Sequence, residues 1–135
     1  MLASKGDTGS TGATGAAGSD GDDGTDGLAF SSVSAQSGTT YTLVLGDANT
    51  VYVTLNNASA ITLTVPPNSS VAFPVGTTLT FEQTGAGQVT VTEGAGVTIN
   101  QHASETLLLD GQYSVATLVK TATDTWTLTG RLENA

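Results

Sequence analysis

Glycine stands at every third position from Gly6 to Gly27, in the run GDT GST GAT GAA GSD GDD GTD G. The positions are Gly6, Gly9, Gly12, Gly15, Gly18, Gly21, Gly24 and Gly27, without a miss. At an average glycine frequency of roughly 7%, such a register arises by chance about once in a billion. A flexible Gly/Ser linker does not keep a strict period of three. The period has a steric cause. Where three polyproline-II-like strands wind around one axis, only a hydrogen atom fits at the centre, so each strand must present glycine at every third residue. A lone strand of this kind has no internal hydrogen bonds, so the pattern implies three chains. At a rise of roughly 3 Å per residue, about 24 residues make a collagen-like rod on the order of 70 Å long.

The rod is weak by itself. The three prolines, Pro66, Pro67 and Pro74, all lie outside the tract, so nothing in it pre-sets the φ angles. Asp20, Asp22, Asp23 and Asp26 place four carboxylates on each chain, hence twelve in a trimer, and like charges at that density oppose assembly. Lys5-Gly6-Asp7 offers one surface pair, worth at most about 1 kcal/mol. It reads as a triplet of the tract rather than as an integrin-type tripeptide. Something outside the tract must hold three chains in register.

The segment Asp20-Gly21-Asp22-Asp23-Gly24-Thr25-Asp26 also shares the alternating oxygen ligands of a calcium loop, without its closing bidentate Glu. Asp20, Asp22, Asp23 and Asp26 are therefore a weak divalent-cation candidate, and a solvated acidic surface is the plainer reading.

After Gly27 the composition changes. Residues 30–40 read as a Ser/Thr/Gly-rich connector, and residues 41–135 as a β domain. Its β-type runs are Tyr41–Leu45, Thr50–Leu55, Ala60–Val65, Thr77–Glu82, Gln88–Thr92, Val97–Ile99, Thr106–Leu109, Gln112–Val119 and Thr125–Thr129. Several alternate apolar residues with Thr, as a half-buried strand does. Turn residues separate them, and no window keeps a helical apolar stripe. Asp110-Gly111 is the strongest two-residue hairpin signal, and Pro66-Pro67 marks an edge or corner. The expected core is Val53, Leu55, Ile61, Leu63, Val65, Phe73, Leu79, Phe81, Val89, Val91, Val97, Ile99, Leu118, Trp126 and Leu128. Gly85-Ala86-Gly87-Gln88-Val89-Thr90 and Gly94-Ala95-Gly96-Val97-Thr98 echo each other. Two copies are few for a β-solenoid repeat, and two similar hairpin turns are the favoured reading. The fold class expected is all-β: a collagen-like triple-helical stalk, then a small antiparallel β-sandwich or barrel knob, trimeric.

Chemistry has little to work with. A formal charge of −9 with only 3 Lys+Arg argues against a nucleic-acid partner. No stretch reaches 18 apolar residues, so no membrane insertion is expected, and without cysteine there is no thiolate site. The one histidine, His102, stands near Ser104 and Glu105, but no nucleophile elbow accompanies it, and a solvated loop histidine is expected. Glu82, Glu93, Glu105 and Asp110 fall in or near different strands or turns, with nothing to pair them for glycoside hydrolysis. The Gly-Ala-Gly segments lack the Lys-Ser/Thr of a phosphate loop. Catalytic residues and cofactors are therefore none. A host-surface glycan is a possible partner, since Thr, Ser, Asn and Gln abound, but Tyr41, Tyr52 and Tyr113 are few for a sugar platform. Trp126, alternating with Thr, reads as core.

The stretch Ser59-Ala60-Ile61-Thr62-Leu63-Thr64-Val65-Pro66-Pro67-Asn68-Ser69-Ser70-Val71-Ala72-Phe73-Pro74-Val75-Gly76-Thr77 resembles a segment recurrent in tailed-bacteriophage virion proteins. Gly85–Thr90, Gly96–Ile99, Gln112–Ser114 and Asp124–Gly130 follow the same pattern in the same order, so the resemblance spans roughly Tyr41 to Leu132. It implies a module that ends fibre-like, tail-associated or decoration proteins, often behind collagen-like tracts. It names no catalytic residue. The start, Met1–Asp7, lacks the apolar core of a secretory signal, which accords with a virion component folded in the host cytoplasm. The organisation expected is an attachment segment at 1–5, a stalk at 6–29, a connector at 30–40 and a knob at 41–135. Expected partners are two further copies of the chain, a phage capsid or tail protein, and as the alternative function a receptor or glycan met by the knob. A secreted bacterial collagen-like adhesin is a weaker third reading.

Overall fold

The computed structural model describes residues 30–135, and Ser32–Ala135 form one unit. Residues 1–5, the eight glycines of the tract and Asp20, Asp22, Asp23 and Asp26 lie outside the described residues.

Eleven strands follow in order among the described residues: β1 (Ser32–Gln36), β2 (Thr40–Thr42), β3 (Val51–Leu55), β4 (Ile61–Val65), β5 (Thr78–Gln83), β6 (Val89–Glu93), β7 (Thr98–Asn100), β8 (Glu105–Leu109), β9 (Val115–Ala122), β10 (Thr125–Gly130) and β11 (Leu132–Asn134). One 3-10 turn, Leu45–Asp47, precedes β3. The strands make a six-stranded sheet, ordered β1-β3-β5-β9-β10-β7, and a five-stranded sheet, ordered β11-β8-β6-β4-β2. From β1 to β9 the chain changes sheet after every strand.

That winding overturns the expectation of antiparallel sheets. Up to β6, strands adjacent in a sheet are alternate strands in sequence and run the same way, so β1, β3 and β5 are mutually parallel, as are β2, β4 and β6. Among the described residues, β5-β9, β9-β10, β6-β8 and β8-β11 are the pairs that run antiparallel. The half-buried alternation along each strand is the same for either sense, because side chains point to opposite faces with period two in both.

Two turn assignments change for the same reason. Gly85–Gln88 carries the chain from β5 to β6, and Gly94–Val97 from β6 to β7, so the echo marks successive sheet-to-sheet corners and not hairpins. Stacked corners explain the glycines. A Cβ on Gly87 would lie 1.8 Å from the Ser59 carbonyl oxygen, and one on Gly94 2.6 Å from that of Val65. Asp110-Gly111 likewise crosses between sheets, from β8 to β9. The hairpin is β9-β10, where Ala122 faces Thr125 and Asp124 takes φ 53°. Pro66-Pro67 does form a corner, immediately after β4.

The core fills the space between the sheets, and every expected core residue is buried in it. Leu43, Leu109, Ala116 and Leu132 join them. Ser32–Gln36, assigned to the connector, is instead strand β1. Its Ser-Val-Ser-Ala-Gln sequence carries little β propensity, and pairing along β3 imposes the extended form.

Parallel winding gives the unit two distinct ends. Ser32 is level with Val51 on β3, and Asn49 NH donates to the Thr78 carbonyl at 2.7 Å, so β1, β3 and β5 start at one end, called the near end. The corners 37–39, 56–60, 84–88 and 110–114 lie at the opposite, far end.

Candidate functional site

His102 and Ser104 do meet. The Ser104 hydroxyl lies 2.7 Å from His102 Nδ1, and the Ser104 NH also donates to that nitrogen at 3.2 Å. Both residues are exposed, and the arrangement is a local turn joining β7 to β8. The Glu105 carboxylate takes no part, and the Glu105 NH donates to the His102 carbonyl.

The four carboxylates stay apart. Glu82, on the outer face of the six-stranded sheet, accepts from Tyr52 Oη at 2.9 Å. Glu93 accepts from the Ile99 NH at 2.7 Å and so braces the corner between β6 and β7. Asp110, at the far end, pairs with Arg131 Nε at 2.8 Å, with both side chains substantially exposed. Among the described residues no three His, Asp or Glu side chains converge, and no pocket is found.

Each aromatic has a separate position. Trp126 is buried, with Phe73 set edge-on at 5.5 Å between ring centroids. Tyr41 donates to Asp47 Oδ2 at 2.7 Å, and the same oxygen accepts from the Val44 NH at 3.0 Å. Burial first, then the hydrogen bond to Asp47 and its negative charge, push the Tyr41 phenol up to about 12. Tyr52 is also pushed up to about 12, by burial and then by the bond to Glu82 and its charge. Tyr113 stands apart from the others. It is 67% exposed at the far end and holds φ 68°, a left-handed conformation unusual for an aromatic residue. Its NH donates to the Gln83 carbonyl at 2.6 Å, which fixes the backbone in that state.

Sequence reasoning missed one buried polar cluster. Lys120 on β9 is only 2% exposed, and its Nζ donates to Asn68 Oδ1 and to the Phe73 carbonyl, each at 2.7 Å. The ammonium also lies 5.8 Å from the centroid of the Trp126 ring. Asp124 Oδ1 accepts from the Asn68 NH at 2.7 Å, so β9 and the β9-β10 turn together grip the loop between Pro66 and Thr77. Parity along the strand held the signal: Ala116, Leu118 and Lys120 share the inward face.

The exposed large hydrophobics divide unevenly. Val44, Leu45 and Val75 lie at the near end, Val33 on the first turn of pleat of β1, and Tyr113 alone at the far end. No family model matches the chain, and no curated protein or solved structure matches it either.

Proposed function

We propose that the chain is a non-enzymatic structural protein of a bacteriophage virion, a short homotrimeric fibre or decoration projecting from head or tail. The observation that carries this reading is the unbroken Gly-X-Y tract from Gly6 to Gly27 running within a few residues into an all-β domain. A triple helix needs three chains, and a compact domain at its end supplies the association that a proline-free, aspartate-rich tract lacks. The resemblance of Tyr41–Leu132 to phage virion modules gives the assembly its setting. Its work is assembly and display, with residues 1–5 as the attachment point to a capsid or tail protein.

Imaging of purified particles with a label on this chain tests the reading. Many projecting copies per particle, dispensable for adsorption, are expected; absence of the chain from the particle overturns it. The second reading, a receptor- or glycan-binding tip, is favoured by Tyr113, an exposed aromatic held in a strained backbone state at the end opposite to the start of β1. Under that reading the protein is scarce per particle, and Tyr113→Gly abolishes adsorption while the domain stays folded.

A further inference from the structure

We propose that the near end and the β1 edge of the six-stranded sheet form the surface on which three copies of this chain pack. The inference rests on the trimeric reading above and gives it an address. Three independent observations converge on it.

Covalent connection comes first. Gly27 ends the Gly-X-Y register and Ser32 begins β1, five residue steps later. Five steps span at most about 18 Å, so in a triple-helical assembly three copies of β1 start within that reach of one axis. In such an assembly the near ends of the three domains are brought together.

The second is the distribution of exposed apolar groups. Val44 and Leu45, at the 3-10 turn, and Val75, just ahead of β5, are 48%, 57% and 62% exposed, and all three lie at that end. Val33, 63% exposed, lies one residue into β1 on the outer face, level with Tyr52. Among the described residues, Tyr113 is the one large apolar side chain comparably exposed at the far end. Apolar side chains gathered where copies must meet are the expected core of an interface.

The third is the edge itself. Among the described residues β1 is the terminal strand of its sheet and the longest edge strand of either sheet. Edge strands of lone domains carry charge, proline, a bulge or extreme brevity to discourage pairing. Ser32-Val33-Ser34-Ala35-Gln36 has no charge and no proline, and it pairs with β3 without a register break. The edges formed by β2, β7 and β11 are three residues each. The charges on the outer face beside β1 reduce to Glu82, already hydrogen-bonded by Tyr52. Copies of the same chain fit such a surface: around Val33, Val44, Leu45 and Val75 it is apolar, and the carboxylates at the same end, Asp47, Glu93 and Asp124, are each engaged by a backbone NH of their own domain.

The experiment compares the full-length chain with Leu45→Glu, Val75→Glu and, as a control at the far end, Tyr113→Glu, by native mass spectrometry across a dilution series. All three positions are exposed, so folding, checked by circular dichroism, is retained. The wild type and Tyr113→Glu are expected as trimers. Leu45→Glu and Val75→Glu are expected to need about a hundredfold more protein to assemble. If the wild type is trimeric and both near-end variants assemble equally well, the proposed surface is wrong while the trimer stands. If the wild type is monomeric throughout, the trimeric reading itself fails.

Discussion

Lys120 offers the sharpest quantitative test of the fold, because its ammonium is buried and, among the described residues, makes no ion pair with a carboxylate. Lys120→Met keeps most of the stem and removes the charge. The Phe73 carbonyl then loses a donor at 2.7 Å, and Asn68 Oδ1 loses another. Orphaning a buried acceptor costs about 1–3 kcal/mol. Asn68 is half-buried and recovers part of its loss from water, whereas the Phe73 carbonyl contact is buried. The contact with the Trp126 ring adds about 0.5–2 kcal/mol. Against these stands the cost of burying an ammonium, which the variant no longer bears. The balance is a destabilisation of about 2 kcal/mol, or a fall in Tm of about 8–15 °C for a domain of this size. Urea unfolding followed by Trp126 fluorescence measures it, since that ring lies beside the substituted side chain. A Lys120→Met protein within about 0.5 kcal/mol of wild type, or more stable, refutes the reasoning: desolvation would then outweigh the two bonds.

Three further outcomes follow from the same geometry. Gly87→Ala forces a Cβ to within 1.8 Å of the Ser59 carbonyl and is expected to cost about 1–3 kcal/mol, whereas Gly46→Ala, with nothing within 4 Å, changes stability by less than about 0.5 kcal/mol in the same urea assay. Tyr41 and Tyr52 hold their protons to about 12, against 10.0 for a free phenol. The folded state therefore binds those protons more tightly, and its advantage is full below pH 10 and is lost as pH rises from 10 through 12; Tyr41→Phe with Tyr52→Phe flattens that part of the stability-pH curve. Gly15→Val breaks the triplet register and is expected to lower the melting of the collagen-type circular dichroism signal while native mass spectrometry still finds three chains.

The strands and core were legible because burial imposes period two. Val53 and Leu55, Ile61 through Val65 and Leu79 with Phe81 alternate inward, and each β-type run in the sequence contains a strand, although Tyr41–Leu45 keeps it only at Tyr41-Thr42 before the 3-10 turn and Gln112–Val119 only from Val115. Direction was not legible. Ile61–Val65 lies between β2 and β6, both parallel to it, yet its own residues would read identically in an antiparallel neighbourhood. Corners posed the same difficulty: Asp110-Gly111 suits a hairpin locally, but Gln112 and Tyr113 lengthen the turn, and the Gln83 carbonyl captures the Tyr113 NH where the chain joins β5 in the six-stranded sheet. Strand β1 was hidden by its Ser-rich sequence, and β11 by its brevity. Of the candidate residues, His102 and Ser104 are joined, Glu82, Glu93, Glu105 and Asp110 are not, and Lys120 was a parity signal left unread.

Sedimentation equilibrium of the intact chain tests the central claim most directly. An assembly three times the 13.4 kDa chain mass is the predicted result, and a species of 13.4 kDa that persists at the highest concentration reached would contradict it.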